Sequence, residues 1–194
     1  QKVIKEFEVN LINEETIKTF QIGFAPKGWD NLSTFFKKNL DPELQKVDAG
    51  LFKISEKNNK IYDVFRNRII FPIKSHRDQI IGFGGRVIDP TDNPKYLNSS
   101  DSDIFKKGRE LYGLSEILKN KKRINRIVVV EGYTDVLSLF SNDMNYAVAT
   151  LGIATSKVHI DKLFTHVDEV IFCFDGDDAG VKAAESALNI SLSG

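Results

Sequence analysis

Four carboxylates standing at the ends of two apolar runs are the residues of this chain best placed to do chemistry. Val128–Val136 reads VVVEGYTDV and Ile171–Gly180 reads IFCFDGDDAG, so Glu131, Asp135, Asp175 and Asp177 each follow a short hydrophobic stretch. In an open parallel sheet, strands end in the crevice where ligands bind, which would aim all four at one place. Like charges gathered there repel unless a cation sits between them, and all-oxygen ligation suits Mg2+ or Mn2+ over zinc or copper. With a helix starting just past Gly132, Asp135 lies one turn from Glu131 and points back toward the strand end. Asp175 and Asp177 flank Gly176, which is free to bend sharply and bring backbone close to a ligand. The positive end of the following helix would keep these carboxylates ionised.

Blander readings compete for the same residues. Asp177 or Asp178 fits a helix N-cap. A calcium loop begun at Asp175 would place Ala179 at its fifth position and Ser186 at its twelfth; neither supplies the required ligand, so that reading is rejected. A phosphatase nucleophile would account for Asp175 alone and leaves Glu131 with Asp135 unexplained. One cysteine and three scattered histidines (His76, His159, His166) do not make a four-ligand zinc site. Cys173, inside an apolar run, reads as a small buried hydrophobe, and the scarcity of cysteine fits a reducing, cytoplasmic setting. No apolar run approaches a membrane span, and the N-terminus lacks the layout of a signal peptide.

The elements that must position these groups alternate after Arg126 in the manner of a doubly wound sheet. Ile127–Val130, Tyr146–Thr150 and Glu169–Phe174 read as strands; Thr134–Phe140, Ser156–Phe164 and Asp178–Ile190 read as helices. Upstream the texture is mixed. Short helices are expected over Asn13–Phe20, over Asn31–Asn39 and from Asp41-Pro42. Hairpins are expected from Leu51–Ser55 with Lys60–Phe65, and from Arg68–Ile73 with Gln79–Val87. A loop over Asp89–Ser102 and a helix over Ile104–Lys122 complete this part. Gly82, Gly84 and Gly85 lack the helix and final glycine of a dinucleotide fingerprint; they permit close backbone approach or a bulge.

The net charge of zero conceals a division. Residues 1–126 hold 24 lysines and arginines against 17 acidic residues, a balance of +7; residues 127–194 hold 3 against 10, a balance of −7. A protein that grips a polyanion and also holds metal needs both. The basic residues concentrate between Arg66 and Arg109: Arg66, Arg68, Lys74, Arg77, Arg86, Lys95, Lys106, Lys107 and Arg109. With Tyr96, Phe105 and Asn98 they offer what single-stranded nucleic acid requires, cations for phosphates and rings for bases.

The motifs EGYTDV, LGIAT (Leu151–Thr155) and FDGDDAG resemble those of the Toprim fold, the metal-binding module of topoisomerases and primases. IGFAPKGWDN, FRNRIIFPI, IGFGGRV, PKYLNS and DIFKKGRELYGL, in that order upstream, resemble the RNA polymerase core of DnaG-type bacterial primases. The resemblance implies an α/β protein: a mixed α/β, basic N-terminal lobe over residues 1–126, then a Toprim lobe over 127–194 with a doubly wound, mostly parallel sheet. It implies synthesis of short RNA primers on a single-stranded DNA template from ribonucleoside triphosphates, leaving an RNA–DNA hybrid. Glu131 would be the Toprim glutamate, Asp135, Asp175 and Asp177 would join it in the site, and Glu131, Asp175 and Asp177 would ligate Mg2+ or Mn2+. Arg66, Arg68, Arg86, Lys95, Tyr96, Asn98, Lys106, Lys107 and Arg109 would meet template or nucleotides. The family's zinc ribbon, its helicase-binding domain and a later Asp-x-Asp motif are not in these 194 residues. The chain therefore reads as a C-terminally truncated fragment without zinc, whose replicative helicase contact lies elsewhere. Thr134, Ile153 and the extra charge of Asp178 depart from the family's usual pattern. A nuclease or topoisomerase, or a binding fragment unable to catalyse, is the alternative.

Overall fold

The computed structural model describes residues 12–39, 50–119 and 124–192. In chain order the elements are α1 (Glu14–Thr19), β1 (Gly23–Ala25), α2 (Asn31–Asn39), β2 (Phe52–Ile54), β3 (Ile61–Asp63), β4 (Arg68–Lys74), β5 (Ile80–Val87) and β6 (Tyr96–Asn98). There follow α3 (Leu114–Lys119), β7 (Arg126–Val130), α4 (Tyr133–Ser141), β8 (Ala147–Ala149), α5 (Lys157–Phe164), β9 (Glu169–Phe172) and α6 (Asp178–Leu192). They form two compact units. One is Ile22–Ile73 with Ile81–Phe105; the other is Gln1–Gln21 with Lys74–Ile80 and Lys106–Gly194. Among the described residues no helix is long and apolar enough to cross a membrane.

The first unit is built on a sheet of order β1-β4-β5-β6 and a separate β2-β3 hairpin. Both expected hairpins are present. Two short strands are additions: β1 lies between the first two expected helices, and β6 inside the expected loop, pairing Gly85 with Leu97 and Arg86 with Tyr96. The glycines of β5 allow rings to lie flat on the strand. A Cβ on Gly85 would come within 2.7 Å of the Phe65 ring, and one on Gly82 within 3.2 Å of Phe105. Phe65, Ile69, Phe71, Val87 and Phe105 are buried in this unit, each side chain contributing roughly 1.5–3 kcal/mol of transfer free energy. Asp63, buried at the end of β3, accepts from Leu32 N at 2.7 Å and Ser33 N at 3.0 Å, satisfying two of the free N–H groups at the start of α2. The helix expected from Asp41 lies outside the described residues.

The second unit carries a parallel sheet of order β8-β7-β9, with β7 in the centre. After the exposed Arg126 its central strand is apolar from Ile127 to Val130, as a strand flanked on both sides requires. Ile127, Val129, Val148 and Leu163 form one core with Leu111, Leu114 and Ile117. That core explains why α1 and the segment after Lys106 pack here although the charge boundary lies at residue 126. Phe20 meets Phe140 edge-on at 4.9 Å and Tyr112 at 5.4 Å, and Tyr112 exchanges backbone hydrogen bonds with Ala149. The helix expected over Ile104–Lys122 is helical only from Leu114 among the described residues. Gly113 takes φ +89°, and a Cβ there would lie 2.7 Å from the Ala147 carbonyl, so the chain turns at that point instead of continuing a helix. Cys173 is exposed, contrary to its expected burial. Beyond β9 the strand pattern alternates, with Phe172 and Phe174 packed on the core and Ile171 and Cys173 directed outward.

Candidate metal centre and nucleic-acid surface

The C-terminal ends of β7 and β9 bring the Glu131 carboxylate against the backbone of Asp175. Glu131 follows the last residue of β7, and its Oε1 accepts from the backbone N–H of Asp175 at 2.8 Å. Cys173 N donates to Val129 O at 2.9 Å, which continues the β7–β9 ladder and delivers Asp175 to that position. Gly132 is the extended N-cap of α4, and Asp135, at the third helical position, accepts from Gly132 N at 2.9 Å. Asp177 caps α6: its Oδ1 accepts from Gly180 N at 2.8 Å, while Val181 N donates to its carbonyl. Of the two aspartates read as possible caps, Asp177 therefore holds the role, and Asp178 is the first helical residue.

Charge is crowded at this end of the sheet. Asp135 is exposed as a residue, but its carboxyl is set into the first turn of α4, and desolvation pushes its pKa above the ordinary aspartate range. The Gly132 N–H draws it down, and the negative charges of Asp175 and Glu131 raise it further. Burial and two neighbouring carboxylates thus outweigh the hydrogen bond from Gly132. Among the described residues no three His, Cys, Asp or Glu side chains are clustered at metal-holding spacing. The donor set nevertheless suits a hard divalent cation: every group is a carboxylate oxygen, and Asp135 feels two negative neighbours that a cation would offset.

Gly180 is the glycine this site needs, and the sequence reading passed over it. A Cβ on Gly180 would collide with the Asp175 carbonyl, whereas one on Gly176 would meet nothing within 4 Å. Gly176 also takes no left-handed backbone angle, so the bend expected of it does not require glycine. A glycine in the first turn of a long helix, where it costs about 1 kcal/mol against alanine, was the available signal.

The basic residues sort by environment. Arg86 lies on β5 opposite Tyr96 of β6, and its buried Nη1 has no hydrogen-bond partner among the described residues. Lys95 is exposed with its Nζ 5.9 Å from the Tyr96 ring, and Asn98 ends β6. Arg66 turns its guanidinium onto the Trp29 ring at 4.1 Å and donates to the carbonyls of Asp63 and Val64. Arg68 is buried and directed inward, donating to Gly85 O at 3.4 Å; burial lowers its pKa, with Asp92 opposing. Lys74 is buried too, its Nζ 2.8 Å from Glu116 Oε1. Neither Arg68 nor Lys74 presents its cation to solvent. Lys106, Lys107 and Arg109 belong to the second unit. There the Lys107 carbonyl meets Nε2 of the fully buried His159 at 3.1 Å, while His159 Nδ1 accepts from Ser156 N at 3.2 Å. The second bond assigns the proton to Nε2 and fixes the neutral tautomer.

Residues 2–118 match the family described as DNA primase catalytic core, N-terminal domain, and residues 128–193 match a Toprim-like family. The DNA primase of Pseudomonas putida is 48% identical over 182 residues, covering 94% of this chain and 27% of that protein. The DNA primase of Escherichia coli K12 is 48% identical over 181 residues, 93% of this chain and 31% of that protein. The chain thus spans about a third or less of the curated relatives it matches. A solved DnaG primase catalytic domain bound to ssDNA is similar with a TM-score of 0.89 and 46% identity, over 99% of this chain and 59% of that one. A DNA primase domain from Pseudomonas aeruginosa gives 0.91 and 44%, over 99% and 60%.

Proposed function

Because the chain belongs to the DNA primase catalytic core family, we propose that it is the part of a primase that holds divalent metal and engages template, for synthesis of RNA primers on single-stranded DNA. The observation that carries the reading is the meeting of Glu131 with Asp175 at the ends of adjacent parallel strands. Glu131, Asp175 and Asp177, with Asp135 beside them, would hold Mg2+ or Mn2+. When bound, such an ion supplies a Lewis acid that neutralises triphosphate charge and favours the attacking hydroxyl. The protein's part is to fix the carboxylates: Glu131 by the Asp175 N–H, Asp135 by the Gly132 N–H, Asp177 by the α6 N-terminus. Each bond locks one oxygen of a flexible group and lowers the entropy lost on binding a cation.

Arg86, Lys95, Tyr96 and Asn98 would receive the single-stranded template or ribonucleotides, and Lys106, Lys107 and Arg109 are assigned the same kind of contact. Arg68 would act indirectly, holding the backbone of β5 at Gly85 and the carbonyl of Lys95. His159 would steady Lys107 through its carbonyl. The RNA–DNA hybrid is the product, and a replicative helicase would be met through other parts of the protein, all in the cytoplasm. The test is ribonucleotide incorporation on single-stranded DNA by this chain and by a form extended past Gly194, each with E131Q and D175N. Loss of primer synthesis in both variants, with template binding kept, supports the assignment. Full activity in both refutes it.

A further inference from the structure

We propose that His159 is a positioning residue for polyanion binding: with Ser156 and Lys162 it clasps residues 106–110, so that Lys106, Lys107 and Arg109 meet phosphates from a fixed backbone. The inference rests on the assignment of those three cations to nucleic-acid contact. Residues 106–110 form no helix or strand, so their carbonyls must find partners elsewhere. Arg109 N closes a turn on Lys106 O at 2.9 Å. α5 takes the next two carbonyls: Ser156 Oγ donates to Gly108 O at 2.8 Å, and His159 Nε2 donates to Lys107 O at 3.1 Å. One turn further along the helix, Lys162 Nζ lies 3.0 Å from Glu110 Oε2, with the two side chains 21% and 19% exposed. Ser156, His159 and Lys162 are spaced three apart and share one face of the helix. Lys106 and Arg109 remain exposed, so the backbone is held while their side chains stay in solvent.

His159 is also the member of the clasp that titrates near neutral pH. Its ring is fully buried; Nδ1 accepts from Ser156 N at 3.2 Å, and Ser156 Oγ accepts from His159 N at 3.2 Å, so the ring helps to hold the start of α5. The bond to Nδ1 needs the neutral ring. A second ring proton would set Nδ1–H against the Ser156 N–H, donor against donor, and leave a cation in a dry site. The charged groups that the ring feels are Lys162 on its own helix and Glu110 on the clasped segment, which oppose one another and are already paired. Desolvation, the largest influence, holds the pKa below the ordinary histidine value. Uptake of a proton therefore goes with withdrawal of the ring, which releases Lys107 O and the α5 cap together. An exposed histidine, such as His76 or His166, strengthens the hold on a polyanion when it gains charge. Release of the clasp weakens it, so the two effects differ in sign.

The probe is a labelled thymidine oligonucleotide, whose phosphodiesters do not titrate between about pH 7.5 and pH 5, read by anisotropy with circular dichroism confirming the fold at each pH. Across that range the affinity of the wild type should fall at least about three-fold relative to H159Q, which keeps a donor for Lys107 O and cannot titrate. The salt slope, which counts phosphate contacts, should shrink for the wild type on acidification and stay constant in H159Q. At neutral pH H159Q should bind more tightly than H159F, which fills the site without the donor. K162M leaves the ring in place, removes a cation from beside it and frees Glu110 to offset its charge, so the loss of affinity should move to higher pH. Wild-type affinity that stays constant or rises on acidification in parallel with H159Q overturns the inference while leaving template binding intact. A K162M profile that coincides with the wild type's does the same. Absence of any salt-dependent binding by the wild type at neutral pH overturns the template reading together with it.

Discussion

Replacing Lys74 by Met isolates a buried charge whose cost is calculable. Lys74 Nζ lies 2.8 Å from Glu116 Oε1 with side chains 3% and 4% exposed, and Asp78, half exposed, is 3.7 Å away. K74M preserves the hydrocarbon volume and leaves Glu116 in a dry place without its cation. Breaking such a pair from one side costs about 3–5 kcal/mol. Urea unfolding of K74M at pH 7 should therefore show a loss of about 3–5 kcal/mol. The double variant K74M/E116L, which removes both charges, should return to within about 1 kcal/mol of wild type. Its salt slope for single-stranded DNA should match the wild type, since the Lys74 amine is committed to Glu116 and releases no phosphate counterion. A loss below about 1 kcal/mol, or a double variant no more stable than K74M, would refute the account of a desolvated pair.

Three further outcomes follow from the site and its supports. Asp135 has a folded pKa raised above its unfolded one, so its ionisation opposes folding at neutral pH; D135N should raise Tm in metal-free buffer at pH 7, with the difference vanishing below about pH 3.9. Added Mn2+ should then raise the wild-type Tm more than that of D135N. His159 is buried and its pKa is lowered, by desolvation first, so the wild type should lose stability as pH falls below about 6.5; H159F, though less stable throughout, should show a flatter Tm profile in that window. G180A should cost about 1–3 kcal/mol and depress metal binding, because its methyl displaces the Asp175 carbonyl, while G176A should leave metal binding within two-fold, on the order of 0.4 kcal/mol.

The parallel sheet was legible because its strands are short apolar runs ending in polar residues, and a central strand has no choice but to be apolar on both faces. The two hairpins were legible from their polar turns. What escaped was set by partners distant in sequence. β6 is three residues that look like loop and become strand only because β5 offers an edge beside Arg86. The segment from Ile104 has a helix-like composition, yet Gly113 must pass within contact of the Ala147 backbone, and that contact ends the helix reading. The compact units part company with the charge boundary for the same reason. Charge follows the surface, whereas Leu111, Leu114 and Ile117 follow the core.

Side-chain direction is the part that spacing does not carry. Arg66, Arg68 and Lys74 belong to one basic stretch of sequence, and alternate positions along β4 put Arg68 under its own sheet and Lys74 against Glu116. A cluster of cations on paper is thus divided into those that hold the protein and those, Arg86 and Lys95, proposed to meet a ligand. The acidic end shows the same division at finer scale. Glu131 and Asp175 converge because β7 and β9 are adjacent and in register, which the paired motifs made legible. Asp177 is drawn into capping α6, and the first-turn glycine that lets it do so sets where Asp175 stands. The geometry of such a site is therefore decided as much by the helix that follows the aspartates as by the strand that precedes them.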